Sequence, residues 1–182
     1  MNNEQRAQAV KMILMDVDGT LTDGSLMVFH DGTELKSYHV RDGLGILLAD
    51  LAEIKTGIIT GKTSPALIKR AERLRIKELH QGILDKKKIL FDIQEKHKLD
   101  LKEIAYIGDD LSDIEVLKSV GLAGAVADAH PDVKKVCHFI CDLPGGKGAV
   151  REFIEFILRA QNKWALIEKK LKEIIIEKSR KG

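Results

Sequence analysis

Residues 12–22 read MILMDVDGTLT, and this stretch constrains the fold more than any other. The apolar run Met12-Ile13-Leu14-Met15 closes on two aspartates, Asp16 and Asp18, followed by Gly19, Thr20 and a second acidic turn at Asp23-Gly24. A short apolar run closed by turn residues predicts a buried strand over 12–17. Asp16 then stands at the strand's carboxyl end, the edge where open α/β sheets bind their ligands. Successive strand residues point to opposite faces, so the two carboxylates share a side only if the chain bends after Val17. Gly19 permits that bend. At a separation of about 4 Å and an effective dielectric of about 20, two such charges repel by roughly 4 kcal/mol. A divalent cation, or a proton on one carboxylate, relieves the repulsion. Oxygen ligands favour Mg²⁺ over zinc. One ionised Asp beside one protonated Asp is a nucleophile beside an acid. A plain strand followed by an Asp-Gly turn, with Asp18 capping the backbone, competes with that reading.

The length of 182 residues suits one domain spanning 1–182. The net charge of +2 gives no case for nucleic-acid binding. The opening MNNEQRAQAVK lacks the apolar core of a signal peptide, and no apolar run reaches membrane-spanning length. A cytoplasmic protein with no membrane partner is expected. Cys137 and Cys141 flank His138 in the β-like run VCHFIC, which has no second ligand pair and reads as buried structural thiols in a reducing compartment.

Along the chain, SLMVF and ELKSYHV around His30-Asp31-Gly32-Thr33 predict a β-hairpin over about 24–40, placed to act as a flap over the acidic strand. A lone ribbon is marginally stable, so a pairing partner, such as another subunit, is expected. A helix is predicted over 44–52, with Asp42 either its N-cap or a substrate contact and Arg41 either surface charge or a substrate contact. The run 56–60, TGIIT, predicts a second buried strand ending in Thr60-Gly61-Lys62, with a helix from Ser64 carrying Pro65 in its first turn and Arg70 further along. That junction suits a phosphate, although ordinary capping explains Thr60 and Ser64 equally well. A short strand over 78–80 precedes Asp85-Lys86-Lys87-Lys88. Of the three lysines, Lys86 is expected to turn inward. A third strand ends in Gly108-Asp109-Asp110, with Asp113 on the same helical face as Asp110. A further strand over 121–127 leads to Asp128-Ala129-His130-Pro131, where His130 reads as a turn residue. The segment Pro144-Gly145-Gly146-Lys147-Gly148 reads as a loop or the start of a mobile tail. A helix is predicted from 149 to about 177, with a possible break near Gln161-Asn162. Its distal stripe Trp164, Ile167, Leu171, Ile174 and Ile175 is expected to pack on the core or a neighbour, and its end, Lys178 to Lys181, is basic.

Alternating strands and helices predict an α/β protein with a doubly wound, mostly parallel sheet, the hairpin flap and no large cap domain. Four strand ends would then bring Asp16, Asp18, Thr60, Lys86, Asp109, Asp110 and Asp113 to one edge.

This ordered set of DVDGT, a strand-ending Thr-Gly, a helix-start Lys and GDDxxD resembles the haloacid dehalogenase superfamily of phosphotransferases, up to about Phe153. The resemblance implies that Asp16 attacks phosphorus and that Asp18 serves as acid and then base. It implies that Mg²⁺ is held by Asp16, the Asp18 carbonyl and Asp109, with waters fixed by Asp110 or Asp113. Thr60 and Lys86 would hold phosphoryl oxygens. Within the superfamily, TDG, VRDGLGI, VADAHP and GGKGAVRE resemble the capless phosphatases that release 3-deoxy-D-manno-octulosonate from its 8-phosphate in lipopolysaccharide synthesis. That likeness implies a homotetramer joined through hairpins, with a neighbour's tail closing the site. It implies that Lys62 and Arg70 meet the substrate carboxylate and that residues 145–148 cover the pocket; Arg41, Asp42, Gly43 and Gly61 are further candidate contacts to the sugar phosphate by their place in the chain. Lys62 stands where an arginine is usual, and a lysine lacks the bidentate fork. A phosphatase for a nine-carbon sugar acid 9-phosphate is the neighbouring expectation. A phosphate-receiving signalling domain would place its acidic pair differently along the chain. A silent assembly domain like those fused to sugar nucleotidyltransferases often loses motif acids that are all present here.

Overall fold

The computed structural model of the protein describes residues 1–179. Helix α1 (Asn3–Ala9), its N-terminus closed by Asn2 and Gln5 in a capping box, leads into β1 (Met12–Met15). The short strands β2 (Met27–Val28) and β3 (Glu34–Leu35) follow, then α2 (Val40–Leu51) and β4 (Lys55–Ile59). Next come α3 (Pro65–Arg73), β5 (Glu78–His80) and α4 (Lys86–His97). The strand β6 (Ile104–Gly108), α5 (Ile114–Leu117), β7 (Leu122–Ala125), α6 (Pro131–Val136) and β8 (Phe139–Ile140) continue the alternation. Two further helices, α7 (Ala149–Ala160) and α8 (Trp164–Ser179), complete the described chain.

Six strands form one parallel sheet in the order β5-β4-β1-β6-β7-β8. The predicted doubly wound α/β sheet is what the structure shows. The first strand lies inside the sheet, Met12 pairing with Lys55 on one side and Ile104 on the other. All four β1 residues are buried, which accounts for an apolar run with no polar alternation. The chain leaves β1 toward β4 and β5, then crosses back to β6. That reversal opens a crevice outside the carboxyl ends of β1, β4 and β6. Helices α1, α2 and α7 pack together, as do α4, α5 and α6.

Several segments depart from the sequence-based expectations. The hairpin has two-residue strands rather than long ones, with Met27 and Val28 about 60% exposed. Its Asp31-Gly32 turn is the predicted one, Gly32 taking φ +82°. Helix α2 begins at Val40 with His39 as its N-cap, so Asp42 lies inside the first turn and is not the cap. The C-terminal helix does break where the sequence allowed it, at Asn162, which adopts φ +54°. Along α8, Ile167 is buried, Trp164 and Leu171 are partly buried, and Ile174 is exposed. Lys163 and Lys170 donate to the carbonyls of Ala52 and Leu51, the orphan acceptors at the α2 C-terminus. The backbone of Lys178 and Ser179 closes α8, while the side chains of Ile175 and Lys178 and the remainder of the basic end, residues 180 and 181, lie outside what the structure describes.

Residues 144–148 are a fixed loop and not a tail. Gly145 N–H donates to Asp128 Oδ1 at 2.9 Å, and Gly146 N–H to the Thr20 carbonyl at 3.0 Å. A Cβ on Gly145 would fall 1.7 Å from the Gly19 carbonyl oxygen, so only glycine lets this loop brace the turn after β1. At the other end of the sheet, buried Glu78 accepts from His80, His97 and Lys96, tying β5 to the last turn of α4. Burial opposes the Glu78 charge, but those donors outweigh it and bring the carboxyl down to about 2. The tie fixes the helix whose first residue is Lys86.

Candidate active site

Asp16, Thr60 and Asp109 each stand where a strand stops. The Asp16 N–H still donates to the Ile107 carbonyl at 3.1 Å, so Asp16 closes the β1 ladder. The chain then turns: the Val17 carbonyl accepts from the N–H groups of Thr20, Leu21 and Thr22. Gly19 sits inside this turn at φ +90°, and a Cβ there would lie 2.1 Å from Asp109 Oδ2. Glycine is therefore needed both for the backbone conformation and for the close approach of Asp109.

Lys86 enters from the first turn of α4 with its side chain 4% exposed, and bonds Asp16 Oδ1 at 2.6 Å and Asp113 Oδ1 at 2.7 Å. Asp85 caps that helix by accepting from Lys88 N–H at 3.0 Å, and Lys87 and Lys88 stay toward solvent. Asp113 is fully buried. It accepts from Lys86, from the Tyr106 hydroxyl at 2.6 Å, and from the N–H groups of Asp109 and Asp110 at 3.1 and 3.3 Å. Both of its oxygens are thus occupied, and it acts as the organiser of the cluster. Asp110 is exposed and accepts from the Leu111 N–H. The Thr20 hydroxyl donates to Asp109 Oδ1 at 2.9 Å.

The electrostatics record an excess of negative charge. Burial, then repulsion from Asp113, raises the Asp16 carboxyl to about 6 despite Lys86. Burial, then repulsion from Asp16, raises Asp109 to about 7. Burial would push the Lys86 ammonium down, but Asp16 and Asp113 more than offset it and raise it. Carboxylate oxygens of Asp16, Asp109 and Asp113 lie within 4.8 Å of one another. Two buried carboxylates held unwillingly ionised, with oxygens this close, are what a hard divalent cation neutralises.

Above this floor lies a cleft of about 240 Å³, lined by Asp16, Asp18, Thr60, Gly61, Lys62, Lys86 and Asp110, with Ile83, Leu84 and Ser112 at its walls. Asp16 is therefore paired inward through one oxygen yet still faces an open cleft. Buried Thr60 is fixed by its N–H on the His80 carbonyl at 2.9 Å. Lys62 is exposed at the rim.

Other expected contacts lie elsewhere. Asp42 is buried and accepts from Gly148 N–H and Arg151 N–H at 3.2 and 2.9 Å, closing the N-terminus of α7 where Gly148 supplies no side chain. Arg41 is exposed beside Leu44 and Leu143, away from the cleft lining. Arg70 lies under the Tyr38 ring, 5.7 Å from its centroid, in the space Gly43 leaves open. Residues 145–148 brace the β1 turn and do not line the cleft. His130 caps α6 by accepting from Asp132 N–H.

Three partners were missed from sequence. Tyr106 is a hydroxyl inside an apolar strand, and Thr20 was passed over as a turn residue. Lys36 descends from the hairpin and clasps Asp18 at 2.6 and 2.8 Å. The signal for Lys36 was the period-two pattern of Lys36 and Tyr38 in ELKSYHV.

Residues 76–154 match the model of the haloacid dehalogenase-like hydrolases. The chain is 42% identical over 159 residues to the 3-deoxy-D-manno-octulosonate 8-phosphate phosphatase of Yersinia pestis, covering 87% of this chain and 85% of that one. The chain belongs to the haloacid dehalogenase-like hydrolases. The enzyme of Escherichia coli K12 bearing the same description is 40% identical over 158 residues, 87% of this chain and 84% of that one. Among solved structures of the family, the Yersinia pestis phosphatase superposes with a TM-score of 0.87 at 41% identity, covering 88% of this chain and 87% of that one. The Moraxella catarrhalis 3-deoxy-D-manno-octulosonate 8-phosphate phosphatase, solved with magnesium ion, phosphate ion and the sugar acid, superposes with a TM-score of 0.90 at 37% identity, covering 92% and 97%. The parallel six-stranded α/β sheet is thus the fold shared with these solved phosphatases, and no described helix is long and apolar enough to cross a membrane.

Proposed function

We propose that the protein is a magnesium-dependent phosphoric monoester hydrolase that releases 3-deoxy-D-manno-octulosonate and phosphate from the 8-phosphate, in lipopolysaccharide synthesis. The observation that carries the reading is the cluster itself: Asp16 at a strand end, paired through one oxygen with Lys86, facing a cleft beside Asp18 and Thr60. Asp16 attacks phosphorus with its second oxygen and becomes the aspartyl phosphate. Asp18 gives a proton to the departing sugar oxygen, then takes one from the water that hydrolyses the intermediate. Lys86 and Thr60 hold phosphoryl oxygens, and Asp113 keeps Lys86 and the Asp109 backbone in place. Asp16, Asp109 and the Asp18 carbonyl would hold a magnesium ion, which would supply positive charge toward the phosphoryl group. Rim residues Gly61 and Lys62 face the sugar acid. Arg41, Asp42 and Gly43 at the start of α2, and Arg70 beneath Tyr38, lie outside the cleft lining within the subunit.

The chain works as one domain in the cytoplasm, and as a homotetramer. Leu26, Met27, Val28, Phe29 and Leu35 leave one apolar hairpin surface in water, which supports association through the flap. A small cleft without its own cap needs a neighbour to exclude water.

Phosphate release from the eight- and nine-carbon sugar acid phosphates, each with and without Mg²⁺, tests the reading. Preference for the 8-phosphate with strict Mg²⁺ dependence is expected. Preference for the 9-phosphate would reassign the substrate, and no release from either would remove the enzymatic reading.

A further inference from the structure

The hairpin does more than present an apolar surface. Lys36 follows β3 directly, between exposed Leu35 and Ser37, yet its side chain is 4% exposed. It passes down from the flap and places its ammonium 2.6 Å from Asp18 Oδ1 and 2.8 Å from Oδ2. Lysine loses about 2 kcal/mol of rotamer freedom when held this way, so the contact has to be built and is not a passing surface pair. Asp18 has one further fixed point, its place in the Gly19 turn. Its carboxylate has no bond to Thr20 or Lys86 among the described residues: Thr20 donates to Asp109, and Lys86 to Asp16 and Asp113. The orientation of Asp18 therefore depends on a residue of the flap.

We infer that Lys36 is a positioning residue for Asp18, which makes the flap a working part of the acid-base machinery. The inference rests on the phosphatase reading. Its sharpest consequence falls on the second half of the reaction. There a water oxygen bonds to phosphorus and the bond from phosphorus to the Asp16 oxygen breaks. The water proton passes to the Asp18 carboxylate, inorganic phosphate leaves, and Asp16 returns to its carboxylate form. A carboxylate free to swing is a poorly placed base, and a displacement of about 1 Å costs on the order of a hundredfold in rate.

p-Nitrophenyl phosphate separates the two halves, because its leaving group needs no proton. With the Mg²⁺-loaded, full-length Lys36→Met protein, the first half stays fast and the second becomes limiting. The expected result is a burst of about one nitrophenolate per subunit, then a kcat lowered roughly ten- to hundredfold, with kcat/KM within about twofold of wild type. Lys36→Arg keeps the cation and is expected to restore most of kcat. An unchanged kcat in Lys36→Met overturns the inference. So does a joint fall of kcat and kcat/KM with no burst that Lys36→Arg does not repair, since a flap that only unfolds behaves that way. Absence of Mg²⁺-dependent release by the wild-type protein would instead sink the phosphatase reading beneath it.

Discussion

Asp16, Asp109 and Asp113 are chemically identical side chains that their surroundings divide into three tasks. Asp113 has four donors and is spent on architecture. Asp109 has one hydroxyl donor and is raised to about 7 by burial and by Asp16. Asp16 shares Lys86 and stays open to the cleft. In the metal-free protein, carboxyls raised in the folded state favour folding only while protonated. Their unfolded counterparts ionise near 4, so stability is full below that and is lost as pH rises through about 6 and 7. Thermal unfolding in a chelator should therefore show a loss on the order of 2 kcal/mol between pH 4.5 and 8, which saturating Mg²⁺ removes. A flat profile in the chelator would contradict the charge cluster described above. For Asp18, the Asn variant should lose at least about a hundredfold in kcat while binding Mg²⁺ within about twofold of wild type, because the proposed metal contact there is the backbone carbonyl. Near-normal hydrolysis would refute the acid-base role.

Among the elements, the start of α2 reads from sequence as either a cap or a substrate contact and the loop over 144–148 as a cover for the pocket; within the subunit both hold the scaffold. The carboxylate of Asp42 caps α7 from a distance of more than a hundred residues along the chain. Its removal leaves two buried N–H groups without acceptors, at about 1–3 kcal/mol. Asp42→Ala should lower Tm by roughly 3–10 °C, with kcat/KM changed less than Tm implies for a substrate ligand. A wild-type Tm with a large rise in KM would return Asp42 to the substrate. The distribution of side chains over the hairpin was only half legible. Asp31-Gly32 announced the turn, while the short ladder and the inward Lys36 depend on what the ribbon meets.

As a whole molecule, the protein places its reacting groups at the crevice made by the sheet's change of direction and leaves an apolar ribbon beside it. Val28→Asp puts a charge on a residue 61% exposed in this subunit. Light scattering should find the proposed tetramer reduced toward monomer, with activity falling alongside. An unchanged mass would place the subunit contacts elsewhere. The mostly parallel, doubly wound sheet followed from the alternation of short apolar runs with helices, since backbone periodicity and right-handed crossovers leave few arrangements, while the order of its strands comes from the structure.

The amino-acid sequence by itself determined the parallel sheet, the strand ends at Asp16, Thr60 and Asp109, and the inward turn of the lysine nearest the loop. Each is a local consequence of where an apolar run stops and a turn begins. Tertiary structure alone decided which oxygens are free. Lys86 and Asp16 are seventy positions apart, and Asp42 and Arg151 more than a hundred, so their bonds exist only once the elements have packed. Hydrogen-bond capacity is finite, and its allocation among neighbouring acids depends on those long-range neighbours, which no local pattern encodes.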